Sequence, residues 1–199
     1  MFNVQCSIIT IFVAMNENRR YLNQFAMMMG TYMGVFWIAK FCLVPMGLTH
    51  IFLMLLFIGL TLCVPFMAYY YTKLYRDRLL GGGISFMHAW LFTTSMFIYA
   101  SLLTAVAHYV YLEYIDNGYI LDTYNGMLNE LKAEQIPGTE AYINQIREGL
   151  NQLATMSSIE LVIQQLSNNI FFGMVWAIIT ALIVRKNVPN VPNQEEVKQ

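Results

Sequence analysis

Residues 84–114, ISFMHAWLFTTSMFIYASLLTAVAHYVYLEY, form an almost wholly apolar stretch that decides the fold. The stretch follows three glycines, ends just before Asp116-Asn117-Gly118, and contains no Asp, Glu, Lys or Arg before Glu113. About 20 apolar residues suffice for a helix to cross the hydrocarbon core of a bilayer. The stretch therefore predicts a membrane-spanning helix, with Ser85 as its N-cap and Gly118 as the residue that lets the chain turn away.

The composition supports a membrane protein. Hydrophobic residues make up 57% of the chain and charged residues 12%, with a mean hydropathy of +0.48, whereas soluble domains are about 25% charged. The three cysteines, Cys6, Cys42 and Cys63, are scattered and form no CxxC pair. This pattern argues against a disulfide framework or a zinc site, and we predict no metal, cofactor or catalytic site.

The predicted fold class is all-α. We expect a polytopic membrane protein with four transmembrane helices and an external segment of two amphipathic helices between the third and the fourth. The predicted spans are residues 22–45, 50–72, 85–113 and 164–184, in a single membrane domain of residues 15–186. Residues 45–49, PMGLT, are expected to form a tight turn between the first two spans.

The two ends of the chain are predicted to lie outside this domain. Residues 1–14 are too short to span a bilayer and lack the charged region of a signal peptide. They are either an upstream extension, with Met15 as the true start, or a short interfacial anchor helix. The tail, residues 187–199, contains Pro189 and Pro192 and is predicted to be disordered and cytoplasmic.

The charges predict the orientation. Basic residues flank the first, second and fourth spans on one side of a four-span arrangement: Arg19, Arg20, Lys73, Arg76, Arg78, Arg185 and Lys186. The segment of residues 114–161, with its flanking Glu113, carries eight acidic residues and only two basic ones. Under the positive-inside rule, both termini are cytoplasmic and this segment is external.

The external segment shows helical periodicity. Ile120, Leu121, Tyr124, Leu128 and Leu131 recur at helical spacing, and Ile143, Ile146, Leu150 and Leu153 do so after a break at Pro137-Gly138. An isolated amphipathic helix of this length is marginal in water. We therefore expect the two apolar stripes to pack on each other over the mouth of the bundle.

Two groups of residues are candidate sites within the spans. Gly30 and Gly34 form a small-xxx-small pattern that lets helix backbones approach closely, either within one chain or in a homo-oligomer. Lys40 lies near the external end of the first span, and Gln165, Asn168 and Asn169 open the fourth. Because polar groups in lipid need partners, Lys40 and these amides are either interhelical hydrogen-bonding groups and anchors or a polar cluster that binds a ligand.

The layout resembles a known family. Ile84-Ser85-Phe86 opens a long span, Tyr114-Ile115-Asp116 closes it, an acidic segment follows, and a last span of residues 173–183 ends in Arg185-Lys186. Over roughly residues 19–186 this is similar to the bacterial four-helix membrane proteins catalogued as domain of unknown function 4199. The resemblance implies the cytoplasmic membrane of a Gram-negative bacterium and implies no activity.

Three classes of function remain open from the sequence. The first is a non-enzymatic structural or interaction protein, with the bilayer and a membrane or periplasmic protein as partners and no nucleic acid. The second is a small transporter or channel component, although no Asp or Glu lies in the middle of a span. The third is an enzyme, for which His50, His88 and His108 are the candidate acids and bases. They are predicted to lie at different membrane faces, so we favour the first class.

Overall fold

The computed structural model describes residues 2–133 and 140–186 of the chain. Within these ranges the chain is helical, apart from turns and one isolated β-bridge. The helices are α1 (Phe2–Phe41), α2 (Leu43–Gly47), α3 (Ile51–Leu79), α4 (Phe86–Tyr114), α5 (Tyr119–Ala133), α6 (Glu140–Ala154) and α7 (Ser158–Val184). The predicted all-α class is confirmed.

Four segments are long and apolar enough to cross a membrane. They are Arg20–Gly47, which combines the end of α1 with α2, and the helices α3, α4 and α7. The predicted four-span architecture is therefore confirmed. Helix α1 begins at Phe2, and whether Met1 or Met15 starts the protein stays a prediction. The expected helix break at residues 135–139 and the tail at 187–199 lie outside the described residues.

The helix boundaries differ from the predicted span boundaries in three places, of which one is the end of α3 at Leu79 rather than at residue 72. The expected turn at residues 45–49 is largely helical, because Pro45 lies in the first turn of α2, where a proline costs no hydrogen bond. The chain reverses instead at Leu48, Thr49 and His50. Helix α7 begins at Ser158 rather than at residue 164. A capping box fixes this start, since the Ser157 hydroxyl accepts from the Glu160 N–H and the Glu160 carboxylate accepts from the Ser157 N–H.

Helix α4, the stretch quoted at the outset, is the centre of the bundle. It is the most buried of the four spans and packs chiefly against α1 and α7. Phe92, Met96 and Ala100 are completely buried. Ser85 caps the helix by accepting from the His88 N–H at 3.4 Å, as the sequence predicts.

Glycines bring the neighbouring helices close to α4. A Cβ atom added at Gly30 would lie 2.7 Å from the Met96 carbonyl oxygen, and one at Gly34 would lie 3.2 Å from that of Ala100. On the side of α4 that meets α7, a Cβ at Gly173 would lie 2.8 Å from the Phe97 ring. Gly30 and Gly34 thus face α4 of the same chain.

Polar contacts close the bundle at the end that carries Arg76, here named the Arg76 end. Arg76 Nη1 donates to the Val184 carbonyl at 3.0 Å, and Ile84 and Lys186 form the antiparallel β-bridge. A little deeper, the buried hydroxyls of Thr72 and Thr93 lie 2.8 Å apart. These contacts fix α3 and α7 to the start of α4.

The opposite end carries the α5–α6 pair and is named the α5–α6 end. The chain leaves α4 through Asn117 and Gly118, whose φ values of 45° and 84° lie in the left-handed region. Leu128, Ile143 and Leu150 then form a small buried cluster between α5 and α6. The two predicted helices therefore pack on each other through their stripes, although Ile146 and Leu153 stay exposed.

Candidate functional site

A cavity of about 1360 Å³ lies between α3 and α7, with α1 and α4 behind it, and it is open to the outside of the bundle beside the exposed side chains of Leu62, Phe66 and Phe172. This volume exceeds the ordinary range of small-molecule pockets, roughly 300–1,000 Å³. Helix α3 is the least buried span. It is held at one end by the Arg76 contacts and at the other by the short connection to α2. Between these ends α3 is separated from α7, and this separation creates the cavity.

The lining is mostly hydrocarbon and aromatic. Helix α7 contributes residues at helical spacing along one face: Leu161, Gln165, Asn168, Phe172, Trp176, Ile179 and Ile183. The facing wall of α3 includes Phe57, Leu62, Pro65, Phe66 and Tyr69. Ile120 of α5 and Leu153 of α6 also line the cavity. The α5–α6 pair thus reaches its mouth.

The polar lining groups are concentrated toward the α5–α6 end. Helices α4 and α7 run antiparallel, and Gly173 lies opposite Phe97. Each residue advances about 1.5 Å along a helix, so His108 lies about 16 Å beyond Phe97, near the level of Val162. Gln165 and Asn169 follow about one and two turns deeper along α7. The cavity is therefore polar at one end and apolar toward Ile183.

Lys40 enters this polar end from α1. Its Nζ lies 5.0 Å from the centroid of the Phe57 ring on α3, within the range of a cation–π contact. The neighbouring Phe41 ring packs on the His108 imidazole, with centroids 3.9 Å apart. The lysine thus lies across the cavity between α1 and α3, and it is the only charged lining side chain among the described residues.

Two lining side chains have buried nitrogen atoms without a hydrogen-bond partner in the described part of the chain. They are Nε1 of Trp37 and Nε2 of His108, and both residues are 8% exposed. A buried polar group without a partner costs about 1–3 kcal/mol. Because both atoms are enclosed by the protein, they lie within the wall of the cavity and do not face its open space.

The structure separates the predicted site residues into two groups. Lys40, Gln165, Asn168 and Asn169 all line the cavity, together with Gln164. Gln165 donates to Asn169 at 3.3 Å, so part of the amide cluster is linked within α7. Gly30 and Gly34 lie away from the cavity, on α4.

The three histidines do not form one site. His50 precedes α3 and is exposed, whereas His88 Nε2 lies 2.8 Å from the Tyr75 hydroxyl at the Arg76 end. Only His108 lines the cavity. In the residues the structure describes, no group of His, Cys, Asp and Glu side chains has the geometry to hold a metal ion.

Several lining residues were not predicted from the sequence. Trp37, Thr104 and Thr180 line the cavity but carry no motif. A signal was available on α4, where Phe97, Thr104, His108 and Leu112 recur at helical spacing and place two polar groups on one face. That stripe indicates that His108 shares a surface with Thr104, whereas the sequence alone predicts only that His108 lies at a membrane face.

Comparisons with known proteins identify the family. No curated protein and no solved structure matches the chain. A family model described as "Protein of unknown function (DUF4199)" matches residues 28–186. The match covers three of the four segments that are able to cross a membrane in full, and it covers Arg20–Gly47 from residue 28 onward. The chain therefore belongs to the DUF4199 family.

Proposed function

We propose that the protein is a non-enzymatic membrane protein that binds a lipid-like molecule in the cavity between α3 and α7. The observation that carries the proposal is the cavity of about 1360 Å³ with an apolar body and a polar end. Burying hydrocarbon in such a space gains about 0.8 kcal/mol for each CH₂ taken from water. Lipid solvates the same chain well, so selection must come from fit and from the polar groups.

The proposal favours binding over catalysis because the histidines are dispersed and only His108 lines the cavity. It includes the cytoplasmic membrane of a bacterium as the location, with both termini in the cytoplasm and the α5–α6 pair outside. The basic residues at the Arg76 end and the acidic α5–α6 segment support this orientation. Tyr142 and Ile146, exposed on α6, offer an apolar contact to a partner protein or to a second copy of the chain.

A small transporter or channel component is the second candidate. The observation that favours it is the length of the cavity, which extends from Ile120 and Leu153 at the α5–α6 end to Ile183. A conduit for an amphiphile needs both a polar mouth and an apolar interior. Movement of a labelled lipid between leaflets of vesicles containing the protein distinguishes transport from binding alone.

Thr61→Trp tests the binding function. Thr61 is exposed, lines the cavity from α3, and donates to the Phe57 carbonyl. An indole there occupies space that the chain of a ligand would fill, so lipid retained per protein after delipidating purification is expected to fall roughly tenfold, which corresponds to about 1.4 kcal/mol of lost fit. Native mass spectrometry measures the retained lipid.

Thr31→Trp is the matched control. Thr31 is also exposed and donates to the carbonyl of Met27 one turn earlier, but it does not line the cavity. The control is expected to retain as much lipid as the original protein. Equal retention by both variants, or no retained lipid in the original protein, would contradict the proposed function.

A further inference from the structure

Lys40 carries a charge that no described residue neutralises. The one ion pair among the described residues joins Arg76 and Asp77, at the other end of the bundle. Lys40 lies within the segment Arg20–Gly47, which is apolar enough to cross a membrane. A charged side chain inside such a segment is costly unless it has a partner, and it commonly marks a functional site. Among the described residues Lys40 has the Phe57 ring as a contact but no anionic partner, which leaves its ammonium group open to water, a headgroup or a bound ligand.

The surroundings of Lys40 favour a ligand with an acidic headgroup. The polar end of the cavity supplies the ammonium group of Lys40 and the amide donors of Gln165 and Asn169. It supplies no carboxylate, since no Asp or Glu of the described chain lines the cavity. An anion therefore finds donors there, whereas the cationic group of a zwitterionic lipid finds no counter-charge.

His108 lies in the same wall. Its ring packs on Phe41, next to Lys40, and the residue lines the cavity, while its Nε2 atom is enclosed by the protein. A site that binds an anion beside Lys40 has this imidazole in its wall. The polar end is thus built from α1, α4 and α7 together, rather than from one helix.

The apolar part of the cavity is long enough for a hydrocarbon chain. From Phe172 to Ile183 the apolar lining face of α7 advances by 11 residues, or about 16 Å of helix. This is about half of the roughly 30 Å thickness of a bilayer core. The lining along this distance is dominated by Phe172, Trp176, Ile179 and Ile183.

We infer that the cavity binds a single-chain acidic amphiphile, with its carboxylate or phosphate beside Lys40 and its hydrocarbon chain along α7. This inference rests on the proposed function and names its ligand class. The shared chemistry is a negatively charged headgroup on one long apolar chain. A fatty acid and a lysophospholipid with a phosphate monoester headgroup are the two sources of that chemistry, and the experiment separates them.

Tryptophan fluorescence provides the test, because Trp37 and Trp176 line the cavity and Trp90 does not. The full-length protein in detergent is titrated with nitroxide-labelled stearic acid, with the corresponding labelled stearyl alcohol, and with a labelled lysophosphatidic acid. Quenching reports the chain in the cavity. We expect an acid to bind roughly tenfold more tightly than the alcohol, as a charge-assisted hydrogen bond implies.

Substitution of Lys40 supplies the second arm. Lys40→Gln is expected to remove the preference for the acid and to leave binding of the alcohol unchanged, whereas Lys40→Arg keeps the charge and the preference. Lys73→Gln is the control, since Lys73 is exposed on α3 and does not line the cavity. Whichever of the two acids, stearic or lysophosphatidic, binds more tightly identifies the headgroup as a carboxylate or a phosphate.

The outcomes distinguish this inference from the proposed function. Equal quenching by acid and alcohol, with no effect of Lys40→Gln, would overturn the acidic headgroup and leave a lipid-binding cavity. No saturable quenching by any of the three probes would overturn the proposed function and this inference together. If Lys40→Gln does not fold, the comparison of acid with alcohol on the original protein still decides the question.

Discussion

Gly30→Ile is expected to destabilise the bundle by about 3 kcal/mol or more, at the upper end of the cost of overpacking a core. The added Cβ would lie 2.7 Å from both the Met96 carbonyl oxygen and Tyr99 Cβ. Because the first of these atoms belongs to the backbone of α4, a rotamer change cannot relieve the clash. Helices α1 and α4 must separate. Thermal unfolding in detergent, followed by circular dichroism, measures the loss.

Gly59→Ile is the matched control for this substitution. Gly59 lies in α3, another helix able to cross a membrane, and a Cβ there would meet nothing within 4 Å. The melting temperature of the Gly59→Ile variant is expected to stay near that of the original protein. The account of helix packing is wrong if the two variants melt alike. A change in oligomeric state with Gly30→Ile alone, without a loss of stability, would place the glycines between chains instead.

The second large effect is an all-or-none labelling pattern that tests the proposed orientation. Single cysteines replace Glu140 or Arg78 in a background lacking Cys6, Cys42 and Cys63; both positions are exposed, on α6 and α3 respectively. In intact cells a membrane-impermeant maleimide that reaches the periplasm is expected to label the cysteine at position 140. The cysteine at position 78 is expected to react only after the membrane is disrupted.

The physical reason is the distribution of charge. Lys and Arg are retained on the cytoplasmic side during insertion, and Arg76 and Arg78 lie in the last turn of α3 while Arg185 and Lys186 follow α7. Reaction at position 78 in intact cells, with protection at position 140, would mean that the orientation is inverted. Reaction of both cysteines in intact cells would mean that the two ends of the bundle lie on the same side.

The sequence predicted most of the fold because its strongest signals are local. The apolar length of α4, the Ser85 cap and the left-handed Gly118 each act within a few residues. The start of α7 was also predictable locally. Ser157 and Glu160 form the Ser-x-x-Glu pattern of a capping box, which is visible in the sequence before the amides of α7 begin at Gln164.

The cavity was not predictable in the same way. It exists because α3 stands off from α7 between two fixed ends, which is a property of tertiary packing rather than of any one helix. The polarity of Lys40, Gln165, Asn168 and Asn169 was visible in the sequence, but their common surface depends on the register of α1, α4 and α7. Likewise, Gly30 and Gly34 indicate a close helix contact without indicating whether the partner is α4 or another chain.

Photo-crosslinking at two adjacent residues tests most directly whether the cavity selects a lipid-like molecule. Phe171 and Phe172 are similarly exposed, at 58% and 61%, but only Phe172 lines the cavity. Benzoylphenylalanine is placed at each position, cells are irradiated, and adducts on the purified protein are identified by mass spectrometry. The account predicts one dominant amphiphile at position 172 and a mixture resembling the bulk membrane at position 171. The same bulk mixture at both positions would contradict it.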